Sequence, residues 1–228
     1  MDSMKKYIIP AACLWAAFSS FSLWAQQKDW AQFGRYAEAN KQVNIFPKVV
    51  FMGNSITDNW WPADSLFFKD HQYVDRGISG QTTAEMLVRF RADVIDLKPQ
   101  VVVILAGIND IAQNNGAIAL QNVFGNIVSM AELAQANRIQ VILCSVLPAY
   151  DFPWRPGLEP ADKVMCLNGM IREYARKNEI PYVDYHSVLK DSRNGLPEKY
   201  SKDGVHPTLA GYKIMEDLVQ EAIGKVLK

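Results

Sequence analysis

The chain has 228 residues, 49% hydrophobic and 21% charged, which suits one globular domain and excludes disordered and fibrous classes. Lysine plus arginine and aspartate plus glutamate each number 24, so the formal net charge is zero and nothing electrostatic argues for nucleic-acid binding. No Cys/His spacing resembles a metal site.

The first segment differs from the rest. Lys5 and Lys6 precede an uncharged run from Tyr7 to Ala25, followed by Gln26, Gln27 and Lys28. A basic start, an apolar middle and a small final residue predict a signal peptide over residues 1–25, with a secreted or periplasmic domain over 26–228. Pro10, Ser19, Ser20 and Ser22 make the run a poor membrane span, and Cys13 sits too early for a lipoprotein site. Loss of Asp2, Lys5 and Lys6 would leave a mature net charge of about −1, with no stable membrane insertion expected. Cys144 and Cys166 remain and are expected as buried thiols.

Apolar runs then predict strands over 48–52, 73–76, 101–106, 139–144 and 182–184. Their continuous hydrophobicity is what a strand covered on both faces needs. Helical spacing lies between them. Thr82 to Glu85 is a capping box, followed by Met86, Leu87, Phe90 and Val94. Ile118, Val123, Ile127, Met130 and Leu133 mark a second helix, and Val164, Leu167, Ile171 and Tyr174 a third. Pro207 is expected in the first turn of a last helix, with Ile214, Leu218, Val219 and Ala222 on its inner face. The alternation predicts a three-layer α/β/α sandwich, flavodoxin-like, with a parallel sheet of about five strands. Ligands of such sheets bind beyond the carboxyl ends of the strands.

Chemistry-bearing residues gather at those ends. Gly53-Asn54-Ser55 follows the first predicted strand, Arg76-Gly77-Ile78-Ser79-Gly80 the second, and Gly107-Ile108-Asn109-Asp110 the third; Asp203-Gly204-Val205-His206 precedes the last helix. These four blocks, in this order, resemble the SGNH (GDSL-like) hydrolase family, and the resemblance spans Gly53 to His206. Asn54 departs from it, standing where many members carry Asp. The resemblance implies an esterase acting through an acyl-enzyme, with Ser55 as nucleophile, His206 as base and Asp203 as its carboxylate. It also implies an oxyanion hole of the Ser55 N–H, the Gly77 N–H and the Asn109 side-chain amide. Physically, a serine hydroxyl needs an adjacent base, histidine titrates near neutrality, and a carboxylate fixes its tautomer. Such chemistry needs neither metal nor organic cofactor.

Rival readings stand beside these. Ser79 reads as turn chemistry, Asp110 as a loop-supporting acid and Asp58 as a first-turn acid. His71 falls at the wrong end of the sheet, and His186 reads as a surface or helix-start residue. Trp60, Trp61, Tyr150, Phe152 and Trp154 either border the crevice or pack their loops. The absence of a long apolar insertion, the export pattern and these aromatics favour short acyl groups, acetyl first, on a small-molecule or carbohydrate ester. Lysophospholipase or thioesterase activity, and acyl transfer to cell-wall or glycan hydroxyls, are the alternatives.

Overall fold

The computed structural model describes residues 29–43 and 46–228. The expected signal peptide, 1–25, lies outside the described residues.

Five strands form one parallel sheet: β1 (Val49–Gly53), β2 (Tyr73–Gly77), β3 (Val101–Leu105), β4 (Gln140–Cys144) and β5 (Tyr182–Val183). Their spatial order is β2-β1-β3-β4-β5. Every residue of β1 and β3 is buried, as their unbroken apolar runs require. Gly53 pairs with Gly77 on one side and Leu105 on the other, so three strands end level with one another. This common edge receives the functional loops.

Helices flank the sheet. In chain order they are α1 (Gly34–Lys41), α2 (Ser55–Asp58), α3 (Trp60–Ala63), α4 (Ser65–His71), α5 (Thr83–Asp93), α6 (Ile108–Ile111), α7 (Leu120–Ala136), α8 (Pro160–Lys177), α9 (Tyr185–Leu189) and α10 (Leu209–Val226). α5, α7 and α8 pack in succession, and α10 packs with α3 and α9. The predicted capping box starts α5, with the Thr82 N–H donating to Glu85 Oε2 at 2.8 Å. Phe51 of β1 meets Trp60, Phe67, Phe68 and Tyr73 at centroid distances of 5.4–5.8 Å, which anchors α3 and α4 to the sheet.

Two expectations change, and α1 is held by means that the apolar pattern does not show. Pro207 lies outside α10: it pairs with Ser201 in an antiparallel bridge, and the extended Thr208 caps the helix instead. Cys144 is buried but Cys166 is exposed, because it lies on a face of α8 away from the buried residues Val164, Leu167 and Ile171. Finally, α1 carries no buried residue and no strong apolar stripe. Polar contacts hold it: Asn40 Nδ2 donates to Asp93 Oδ1 at 2.8 Å, and Arg76 Nε donates to Asn40 Oδ1 at 2.9 Å.

Candidate active site

Ser55 is the first residue of α2, directly beyond the end of β1. Asn54 caps this short helix through Oδ1, which accepts from the Ile56 N–H at 3.2 Å. The Ser55 amide, at the first helical position, has no acceptor within the helix. Ser55 is only 8% exposed, yet its Oγ lies 2.9 Å from His206 Nε2.

His206 is delivered by a tight loop. The Ser201–Pro207 bridge closes it, and Gly204 turns it with φ of +78°. Asp203 Oδ1 accepts from the Val205 N–H at 2.9 Å, the His206 N–H at 2.8 Å and the Ser201 hydroxyl at 3.0 Å. Asp203 Oδ2 then takes His206 Nδ1–H at 2.6 Å. With the proton held at Nδ1, Nε2 presents its lone pair to the Ser55 hydroxyl. Burial alone would raise the Asp203 pKa, but the bonds from the His206 ring and from the His206 and Val205 amides outweigh it and bring the carboxyl to about 2. The carboxylate is therefore ionised wherever the histidine works.

Asn109 arrives from β3. Gly107, at φ of +119°, makes the turn; a Cβ there would stand 2.6 Å from Leu167 Cδ2. The buried Asn109 gives one Nδ2 hydrogen to the Gln81 carbonyl at 3.0 Å, which leaves its second hydrogen free of that bond. Asp110 supports the loop as expected, accepting from Thr83 N–H at 2.9 Å and Thr83 Oγ1 at 2.7 Å; burial raises its pKa to about 6.

Gly77 requires a correction. Its N–H, expected at the oxyanion, donates to Asp75 Oδ1 at 2.6 Å. Its missing side chain serves packing, since a Cβ would come within 2.1 Å of the Asp58 amide nitrogen. Gly80 lies three residues on, with φ of +83°, and its N–H has no protein acceptor among the described residues. Its carbonyl accepts from Asn114 Nδ2 at 3.0 Å, beside the Gln81 carbonyl that holds Asn109.

The rivals fall where their surroundings put them. Ser79 is tied to Asp58, its Oγ donating at 2.6 Å. His71 ends α4 ahead of β2, its ring stacked on Tyr73 at 5.2 Å. His186 stands in the first turn of α9, as one of its two readings had it, but is buried and not on the surface; Asp184 caps that helix through the Ser187 N–H, and the His186 amide bonds Ser145 Oγ at 2.9 Å. Burial lowers the His186 pKa. Trp60 and Phe152 are buried, whereas Trp61, Tyr150 and Trp154 are exposed. Trp154 stands with its ring centroid 6.0 Å from the imidazole of His206. Its neighbour Arg155 donates to the Ala112 carbonyl at 2.9 Å and to the Gln113 carbonyl, which fastens the loop beyond β4 over the end of α6.

Arg89 was not foreseen, because a lone arginine on an amphipathic helix reads as surface. It is fully buried. Its Nη2 bridges the Gly53 and Arg76 carbonyls at 3.0 and 2.9 Å, Nε reaches Gln81 Oε1 at 2.6 Å, and Nη1 pairs with Asp93 at 2.9 Å.

A parallel α/β sheet with a hydrogen-bonded Ser–His–Asp chain at its carboxyl edge defines the acyl-hydrolase class. The chain belongs to the GDSL-like Lipase/Acylhydrolase family, whose profile matches residues 51–214, and it is a carboxylic ester hydrolase. Two solved structures are similar over nearly their whole length. One is a Bacteroides fragilis protein provisionally classed as an acylhydrolase, 51% identical with a TM-score of 0.86, covering 89% of this chain and 100% of that one. The other is a GDSL-like lipase of Bacteroides thetaiotaomicron, 50% identical with a TM-score of 0.83, covering 86% and 98%. The esterase TesA of Pseudomonas aeruginosa is 28% identical over 141 residues, 62% of this chain and 64% of that protein.

Proposed function

We propose that Ser55 attacks the carbonyl of a short-chain ester, acetyl first, carried by a carbohydrate. His206 Nε2 takes the Ser55 proton as the Oγ–carbon bond forms. Asp203 holds the ring and stabilises the imidazolium. The tetrahedral oxyanion is met by the Ser55 N–H at the start of α2, the free Asn109 Nδ2 hydrogen and the Gly80 N–H, which replaces the committed Gly77 amide. Collapse expels the alcohol, and water then releases the acid by the same path.

The observation that carries this reading is the 2.9 Å approach of Ser55 Oγ to a histidine whose other nitrogen is bound at 2.6 Å by an ionised carboxylate. The acetyl preference is supported by the absence of a long apolar insertion in the sequence, and the carbohydrate by the exposed Trp154 beside His206 and Tyr150 in the cleft that adjoins Asp203. The test is a series of p-nitrophenyl esters and acetylated sugars. Ser55→Ala should lower kcat by about 10⁵–10⁶. A Ser55→Ala enzyme that keeps its activity would sink the nucleophile assignment. A preference for acyl chains beyond about eight carbons, the size of a lipid-type pocket, would sink the short-acyl assignment.

A further inference from the structure

We propose that Trp154 is the platform of a leaving-group subsite, receiving the flat apolar face of a pyranose that carries the esterified oxygen. The inference rests on the Ser55–His206 mechanism above. When the tetrahedral intermediate collapses, the bond from the acyl carbon to the alcohol oxygen breaks. That oxygen takes the proton which His206 Nε2 received from Ser55. The alcohol must therefore lie within about 3 Å of Nε2, on the histidine side of the crevice. The carbonyl oxygen turns instead to the oxyanion donors proposed above.

The wall on the histidine side is Trp154. Its ring centroid is 6.0 Å from the imidazole and its plane is inclined by 33°. It is 46% exposed, yet it is not loose. The buried Phe152 packs against it at 5.2 Å, and Arg155 ties the following residue to α6. A large aromatic ring packed on Phe152 and half open to water beside the proton donor offers a binding surface. The polar surroundings select what it binds. A cleft of about 310 Å³, lined in part by Tyr150, Asp151, Phe152, Arg193 and Asp203, shares Phe152 and Asp203 with this corner. Arg193 lies over the Tyr150 ring at 4.7 Å. Asp203 is taken up by His206 and Arg193 pairs with Asp191 at 3.4 Å, but Asp151 Oδ2 and Arg193 Nη1 have no protein partner among the described residues and suit hydroxyls, which both accept and donate; an alkyl chain would desolvate them without return.

The test compares two acetates that form the same acetyl-enzyme: ethyl acetate and an acetylated methyl xyloside. Any selective effect then belongs to the alcohol. In Trp154→Ala, the ratio of kcat/KM for the xyloside to that for ethyl acetate should fall about ten-fold or more, mainly through KM; Trp154→Phe should restore part of it. An unchanged ratio, with or without loss on both esters, would overturn the subsite while leaving the Ser55 mechanism standing. A wild-type enzyme inactive on both acetates would instead remove the short-acyl reading itself.

Discussion

The Asp75 carboxylate stands two residues inside the end of β2, one oxygen bound by the Gly77 N–H and the other without a hydrogen-bond partner among the described residues. Burial raises its pKa from the usual 3.8 to about 7. The folded protein then holds a proton that the unfolded chain releases, between about pH 4 and pH 7. Stability contributed by this group is therefore full below about pH 4 and is lost as pH rises to about 7. Asp75→Asn keeps an oxygen for the Gly77 N–H and removes the titration. Relative to wild type, its Tm should rise progressively from pH 5 to pH 8, with a gain on the order of 1–4 kcal/mol at the upper end. Thermal unfolding of both proteins across that range checks it, and parallel curves would exclude the effect. The same residue explains one error of the sequence reading. That Ser55, His206 and Asp203 meet was legible because their chemistry ties residue type to motif order. Gly77 and Gly80 both stand in the second block, and only the Asp75 bond and the close Asp58 backbone show that Gly77 is needed for packing.

At the scale of elements, the loops at the sheet edge are held from below by α5. Arg89 gathers the Gly53 carbonyl of β1, the Arg76 carbonyl of β2 and the Gln81 side chain, while the Gln81 carbonyl holds Asn109. Arg89→Lys keeps a charge for Asp93, but a single ammonium cannot span these acceptors. The displaced loops should lower kcat by about 10²-fold while KM changes little, since small misplacements of reacting groups are costly. Steady-state kinetics on protein with a cooperative melt checks this, and wild-type kcat in the lysine variant would refute the staple. Arg89→Met, which leaves the buried Asp93 charge with only the Asn40 amide, should also lose about 3–5 kcal/mol of stability. Helices were legible where packing sets them, as in α8, whose Val164, Leu167 and Ile171 face the core; in α7 Val123, Ile127 and Met130 do so, but Ile118 precedes the helix and Leu133 is exposed. Legibility failed where hydrogen bonds decide. Pro207 belongs to the bridge with Ser201, and α1 is docked by Asn40 rather than by an apolar face.

The parallel sheet of the whole molecule followed from strand–helix alternation; its order places β1 between β2 and β3, and sheets of this kind gather function at their carboxyl edge. The N-terminal boundary tests how far the folded body extends. Asp29 accepts from the Phe33 and Gly34 amides at 2.9 and 2.7 Å through its two carboxylate oxygens. Ala31 is buried, and its carbonyl accepts from Gln81 Nε2 at 2.8 Å, which ties this strap to the segment carrying Gly80. Residues from Asp29 onward are thus part of the site's support, whereas a cut after Ala25 would fall before the first of these contacts. We propose that residues 1–25 are a cleaved leader: expressed with them in an exporting bacterial host, the protein should be recovered outside the cytoplasm beginning at Gln26, fully active. Intact mass and N-terminal sequencing decide this. Retention of Met1, or a lipid on Cys13, would show that residues 1–25 anchor the enzyme and are not a cleaved leader; a cut beyond Ala31 should cost activity, because it removes the carbonyl that orients Gln81.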